Sequence, residues 1–132
     1  MNDKIIAVLI ADSTLTSIVP SKNIMAGPVD ITVGLNSDTL MPQINIFTIS
    51  EMSNTVPLNT RETSIQLDIW SRNGQLEVVN VYERILTLLN YLSADQGSAH
   101  IFWEKMGSAV DLYESDRRIF HRACTFRIWG FK

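Results

Sequence analysis

The stretch TSIQLDIWSRNGQLEVVNVYERILTLLNYL, residues 63–92, changes its hydrophobic period halfway along. Ile65, Leu67 and Ile69 fall on one side of an extended chain and Gln66, Asp68 and Trp70 on the other, the period-two pattern of a strand. Asn73-Gly74 interrupts it as a turn. Beyond the turn Val78, Val81, Tyr82, Ile85, Leu88, Leu89 and Leu92 recur at helical spacing, with Val79 and Leu86 widening the arc and Glu77, Arg84, Thr87 and Tyr91 opposite. Glu77 falls in the first turn, where a carboxylate complements the positive end of the helix dipole. The stretch reads as a strand–turn–helix unit, and no side chain in it suggests a reaction.

On the N-terminal side, NDKIIAVLIADSTLTSIV (residues 2–19) reads as one helix, capped by Asn2 or Asp3. Ile5, Val8, Leu9, Leu15 and Val19 share a face while Ile6, Ile10 and Ile18 lie elsewhere, so this helix should meet more than one neighbour. Pro20 ends it. Gly27-Pro28, Gly34 and Asn36-Ser37-Asp38 punctuate residues 21–42, which predicts short extended pieces and a surface loop there. QINIFTISE (43–51) alternates Ile44, Ile46 and Thr48 against Asn45, Phe47 and Ile49 as a strand, and MSNTVPLNT (52–60) reads as a long hairpin connection.

On the C-terminal side, AHIFWEKMG (99–107) and RRIFHRACTFRIWGFK (117–132) read as two strands joined by a turn at VDLYESD (110–116). Phe120, Cys124, Phe126 and Ile128 share one face of the last strand, and His121, Thr125, Arg127 and Trp129 the other. With no repeat or linker, residues 1–132 form one domain of the α+β class: a mainly antiparallel β-sheet with two α-helices packed on one face.

Composition narrows the function classes. A net charge of −3 with 11 Lys and Arg argues against a dedicated nucleic-acid binder. The apolar run Ile5–Ala11 is too short to span a membrane and no signal-peptide pattern accompanies it. Cys124 is the single cysteine, so there is no internal disulfide, in keeping with a reducing compartment. No phosphate-binding loop, dinucleotide fingerprint or zinc-protease motif is present.

His100 and His121, with Asp116 or Glu104, offer a metal set without ligand spacing, and strand histidines are the simpler reading. Cys124 as a nucleophile would need one of those histidines beside it, but its mid-strand position suits a core residue. Asp111, Glu114 and Asp116, beside Arg117 and Arg118, read as a hydrated turn. Arg117, Arg118, Arg122 and Arg127, interleaved with Phe120, Phe126, Trp129 and Phe131, would suit single-stranded nucleic acid, though the acidic balance opposes it. No catalytic residue, metal or cofactor is expected.

Apolar surface is left over. Trp70, Trp129, Phe131, Phe47 and Ile49 fall on strand faces that two helices are not expected to cover. A solvated sheet face should not carry them, so a second subunit is expected to cover some.

The order of LIADSTLTSIVPSKNIMAGPVD, LMPQINIFTISE, TSIQLDIWSRNGQLEVVNVYERILTLL and DLYESDRRIFHRACTFRIWG resembles the tail-terminator or tail-completion proteins of long-tailed, siphovirus-type phages. Ala11, Asp12 and Leu15 match that family's A-D-x-x-L helix pattern. Pro42 to Phe47 match its proline-plus-strand, Ile65 to Ser71 its strand running into a helix, and Arg118 to His121 its R-x-x-H closing strand. The resemblance implies a structural virion protein, not an enzyme, that forms a homo-oligomeric ring, commonly a hexamer, at the head-proximal end of the tail tube. There it would terminate tube growth and form the surface for head–tail joining.

Its implied partners are itself, the major tail-tube protein and the head-completion or connector protein. DNA would only pass through the ring, and no membrane is involved. Its place would be the virion tail, assembled in the host cytoplasm. Expected subunit or tube contacts are Glu51, Arg61, Glu62, Trp70, Arg72, Arg117, Arg118 and Trp129, with Trp70 and Arg72 at an edge. A nucleic-acid-binding accessory protein, a neck or connector subunit, and a small enzyme using His100, His121 and Cys124 are the alternatives.

Overall fold

A computed structural model describes residues 2–27, 41–54, 60–94, 101–115 and 118–131; residues 2–4, 51–54, 60–62, 90–94, 101–108 and 128–131 are described by backbone course alone. The chain is α+β. Helices α1 (Asn2–Ala11) and α2 (Ser13–Thr16) are followed by a 3-10 turn at Ser21–Asn23 and strands β1 (Ile24–Ala26), β2 (Gln43–Asn54) and β3 (Thr60–Ser71). Then come helix α3 (Gln75–Ala94) and strands β4 (Ile101–Glu114) and β5 (Ile119–Phe131). The sheet order is β1-β2-β3-β5-β4, with β1 parallel to β2 and the other pairs antiparallel.

The helix expected over residues 2–19 breaks at Asp12, whose backbone is extended at φ −85° and ψ 115°. Its carboxylate accepts the Leu15 N–H at 2.8 Å and so caps the short α2. The same carboxylate takes a bidentate contact from Arg84 of α3, at 2.8 Å from Nε and 2.7 Å from the second nitrogen. A side-chain acceptor beside free N–H groups competes with continued helix, and Arg84 fixes the carboxylate in that role. The A-D-x-x-L pattern is thus a helix break clamped to α3, with Leu15 fully buried.

The strand–turn–helix unit agrees with the sequence pattern. Ser71 Oγ donates to Glu77 at 2.8 Å and accepts the Asn73 N–H at 3.0 Å, while Asn73 Nδ2 donates to both Glu77 oxygens. Gly74, at φ +141°, makes the turn in a region that side chains rarely adopt. The main core joins Ile5 and Leu9 of α1, Ile44 and Ile46 of β2, Ile65, Leu67 and Ile69 of β3, Val78, Val81, Ile85 and Leu89 of α3, and Cys124 and Phe126 of β5. Burying each of the larger apolar side chains contributes roughly 1.5–3 kcal/mol. Among the described residues no helix is long and apolar enough to cross a membrane.

Two loops expected from the sequence are partly strand. Residues 52–54 and 60 of the expected hairpin connection belong to β2 and β3, paired as Met52↔Glu62, Ser53↔Arg61 and Asn54↔Thr60. Residues 110–114 belong to β4, which resumes pairing at Val110↔Ala123 after an irregularity beyond Met106.

The sheet face away from α3 is not simply solvated. Gln43, Asn45, Asp68 and Trp70 are all buried there. Its polar groups pair along the strands: Gln43 Nε2 donates to Asn45 Oδ1 at 3.0 Å, Gln66 Nε2 to Asp68 Oδ1 at 3.0 Å, and Asn45 Nδ2 to the Gly27 carbonyl at 3.3 Å.

Candidate assembly surface

Strand register sorts the expected contact residues to two ends of one sheet. Met52 of β2, Glu62 of β3 and Trp129 of β5 lie across from one another, with Glu51 and Arg61 one step away. Trp70 lies near the other end of β3, opposite His121, and Arg72 directly follows that strand. Arg118, exposed at φ 55°, sits in the β4–β5 turn at this same end, since Ser71 pairs with Phe120. Nine residues of strand separate Arg61 from Trp70, about 30 Å at ~3.3 Å per residue. The side chains of Glu51, Arg61, Glu62 and Trp129, and Arg117 entirely, lie outside the described residues, as do His100 and the Phe131 side chain.

Trp70 does not stand at a sheet edge. It belongs to the central strand β3 and is enclosed by its own chain at 6% exposure, in a small cluster with Ile119 and Met41. Its indole stacks on the His121 ring, with centroids 3.6 Å apart and planes at 8°. His121 Nε2 lies 3.1 Å from Asp68 Oδ1, within ion-pair range when the imidazole is protonated, but off the direction of a hydrogen bond. Surplus apolar surface therefore does not come from Trp70.

Among the described residues it comes from Ile49 of β2, 52% exposed as its alternation predicts, and from β4 at the edge of the sheet. Val110, Leu112 and Tyr113 are 53, 52 and 54% exposed, and Leu76 in the first turn of α3 is 72% exposed. Gln75 Nε2 ties that turn to Asp111 Oδ2 at 3.3 Å. A half-open cleft of about 190 Å³ lies between them, lined by Gln75, Val78, Asp111, Leu112, Tyr113, Phe120 and His121. Tyr113 packs against Phe120 in a tilted ring contact at 4.6 Å.

Asp111 is held by Arg122 through contacts of 2.6 and 2.9 Å, and the Arg122 guanidinium lies 4.8 Å over the Tyr82 ring. That hydrogen-bonded guanidinium holds the Asp111 carboxyl below its usual range, against the opposing effect of burial, and Asp111 in turn raises Arg122. In the sequence these residues read as a hydrated turn because Asp111, Glu114 and Asp116 cluster there. The signal for a strand is the alternation of Val110 and Leu112 against Asp111 and Tyr113.

Of the residues weighed for chemistry, His100 and Asp116 lie outside the described residues, and His121 and Cys124 are apart. Cys124 is buried in the main core, on the other side of β5 from His121, with its thiol 3.4 Å from the Leu67 carbonyl. Among the described residues no group of three His, Cys, Asp or Glu could hold a metal ion.

Comparison with known proteins gives a consistent family. No functionally curated protein matches the chain. Among solved structures, a chain from the virion of a native gene transfer agent particle superposes with a TM-score of 0.66 at 11% identity, covering 100% of this chain and 95% of that one. At that identity the likeness is one of fold. The model of the family described as Tail completion protein gp17 matches residues 3–130, nearly the whole sequence. The chain belongs to the tail completion protein gp17 family.

Proposed function

We propose that this structural tail protein assembles as a ring at the head-proximal end of the tail tube, stops tube growth there and provides the surface that joins the head connector. Family membership supports the tail assignment. The observation that supports the finer reading is a sheet with two separate ends, where register places Glu51, Arg61, Glu62 and Trp129 at one and Arg72 and Arg118 at the other, plus exposed apolar side chains along β4. A terminator has three neighbours to satisfy: the tube, the connector and a sister copy. Its action is stoichiometric binding, since occupying the tube's end excludes the next tube ring without any bond being made or broken.

The test is tube elongation in vitro. Purified tail tubes and free tube subunits are mixed with the protein, and tube length and end structure are monitored by negative-stain microscopy. Growth should stop at one end, with added density there. Tubes that lengthen as in its absence sink the reading; binding to the connector without binding to tubes moves the protein to the neck.

A further inference from the structure

We propose that Asn73-Gly74, at the turn between β3 and α3, is a site of spontaneous deamidation, that Glu77 slows the reaction in the folded protein, and that its product loosens the start of α3. Asparagine followed by glycine is the pair in which this chemistry runs most readily, because glycine has no side chain to shield its backbone nitrogen. That nitrogen, on losing its proton, attacks the side-chain carbonyl carbon of Asn73. The new C–N bond closes a five-membered succinimide, and the bond to the side-chain nitrogen breaks to release ammonia. Water then opens the ring at either carbonyl. One opening leaves aspartate; the other leaves isoaspartate, whose main chain runs through the former side chain and is longer by a carbon. Water is the sole co-reactant, and no oxidant or cofactor takes part.

The turn leaves the pair open to solvent. Asn73 is exposed, and a Cβ at Gly74 would meet no heavy atom within 4 Å beyond its chain neighbours. Against this openness stands one brace. Asn73 Nδ2 donates to the two Glu77 oxygens at 3.2 and 3.0 Å. Ser71 Oγ donates to the same Glu77 at 2.8 Å and accepts the Asn73 N–H at 3.0 Å. Ring closure requires the Asn73 side chain to swing toward its own following nitrogen and its amide nitrogen to leave, and both motions break the Glu77 contacts. Bonds donated to a carboxylate also push electron density into the amide, which makes its carbon a poorer target. Giving up one hydrogen bond to a charged group before the reaction slows it roughly ten- to hundredfold.

The product reverses the relation to Glu77. Aspartate puts a carboxylate where an amide donor stood, against the Glu77 carboxylate, and like charges in contact disfavour each other. Isoaspartate lengthens the turn itself. Either change acts on the first turn of α3, where Gln75 Nε2 reaches Asp111 of β4 at 3.3 Å, so the disturbance extends to the edge of the sheet. None of this depends on how copies of the chain assemble.

The experiment holds full-length protein in mildly alkaline buffer, folded and in urea, and samples it over days. Peptic peptides, made in acid so that digestion adds no deamidation, are weighed for the replacement of NH2 by OH at Asn73. Folded wild type should convert at least about tenfold more slowly than the protein in urea. Glu77→Ala should recover most of the urea rate while still folded, and Glu77→Gln, which keeps one acceptor oxygen, should lie between. Val78→Ala is the control for loosening alone, since it weakens the core packing of α3 and leaves the brace in place; it should convert like wild type. Asn73→Asp should lower the melting temperature, and adding Glu77→Gln should restore part of the loss. Folded wild type that converts at the urea rate, or Val78→Ala that converts as fast as Glu77→Ala, would overturn the brace. Slower conversion in Glu77→Ala would make Glu77 a base that drives the reaction, the reverse of a brace. An Asn73→Asp protein as stable as wild type would overturn the loosening of α3.

Discussion

Replacing Asp12 separates two jobs that one carboxylate performs. It caps α2 through the Leu15 N–H and binds Arg84 on α3 in a bidentate contact. A lost cap costs about 1 kcal/mol. The ion pair is partly solvated, with Asp12 13% and Arg84 31% exposed, which holds its contribution to roughly 0.5–1 kcal/mol. Asp12→Ala removes both and should cost ~1.5–2 kcal/mol, or about 5–8 °C of melting temperature in a chain of this length.

Asp12→Asn retains a good capping oxygen and loses only the charge, so about 0.5–1 kcal/mol should go. Combining Asp12→Ala with Arg84→Ala in a double-mutant cycle should return a coupling near the ion-pair figure. The Arg84 hydrogen bond, helped by the Leu15 N–H and opposed by burial, lowers the Asp12 pKa. A lowered folded-state value means this stabilisation is complete above the unfolded-state value and lost as pH falls through the folded one. The difference between wild type and Asp12→Asn should therefore shrink below about pH 4. Thermal and urea melts at several pH values measure all of this. Equal losses in Asp12→Ala and Asp12→Asn would refute the cap, and a zero coupling energy would refute the clamp.

Two more outcomes rest on burial. Trp70→Ala should cost ~3–5 kcal/mol in denaturant melts, because the indole is enclosed and stacked on His121; a variant that melts like wild type yet fails to assemble would return Trp70 to the interface. The Cys124 thiol should resist a water-soluble thiol reagent in the native protein and react at once in denaturant, and fast native labelling would contradict its place in the core.

Hydrophobic period alone determined a good deal. Alternation assigns Ile65, Leu67 and Ile69 to the inner face of a strand and the 3.6-residue spacing assigns Val78, Val81, Ile85 and Leu89 to the inner face of a helix, and all of them are core residues. The α+β class and the buried sides of Cys124 and Phe126 come from the same kind of pattern. These properties are local, because an element's period is written in its own side chains.

What only the tertiary structure decided involves partners distant in sequence. Arg84 has the spacing of a solvent-side helix residue, and its acceptor lies 72 residues away. Residues 110–114 have the composition of an acidic turn, yet they extend β4, where Arg122 of β5 holds Asp111. Trp70 has the pattern of a surface anchor, and it is covered because His121 stacks on it across the strand pair. A strand's pattern says which side chains share a face, but whether that face is buried, and which charges it must neutralise, depends on chain that the pattern does not contain.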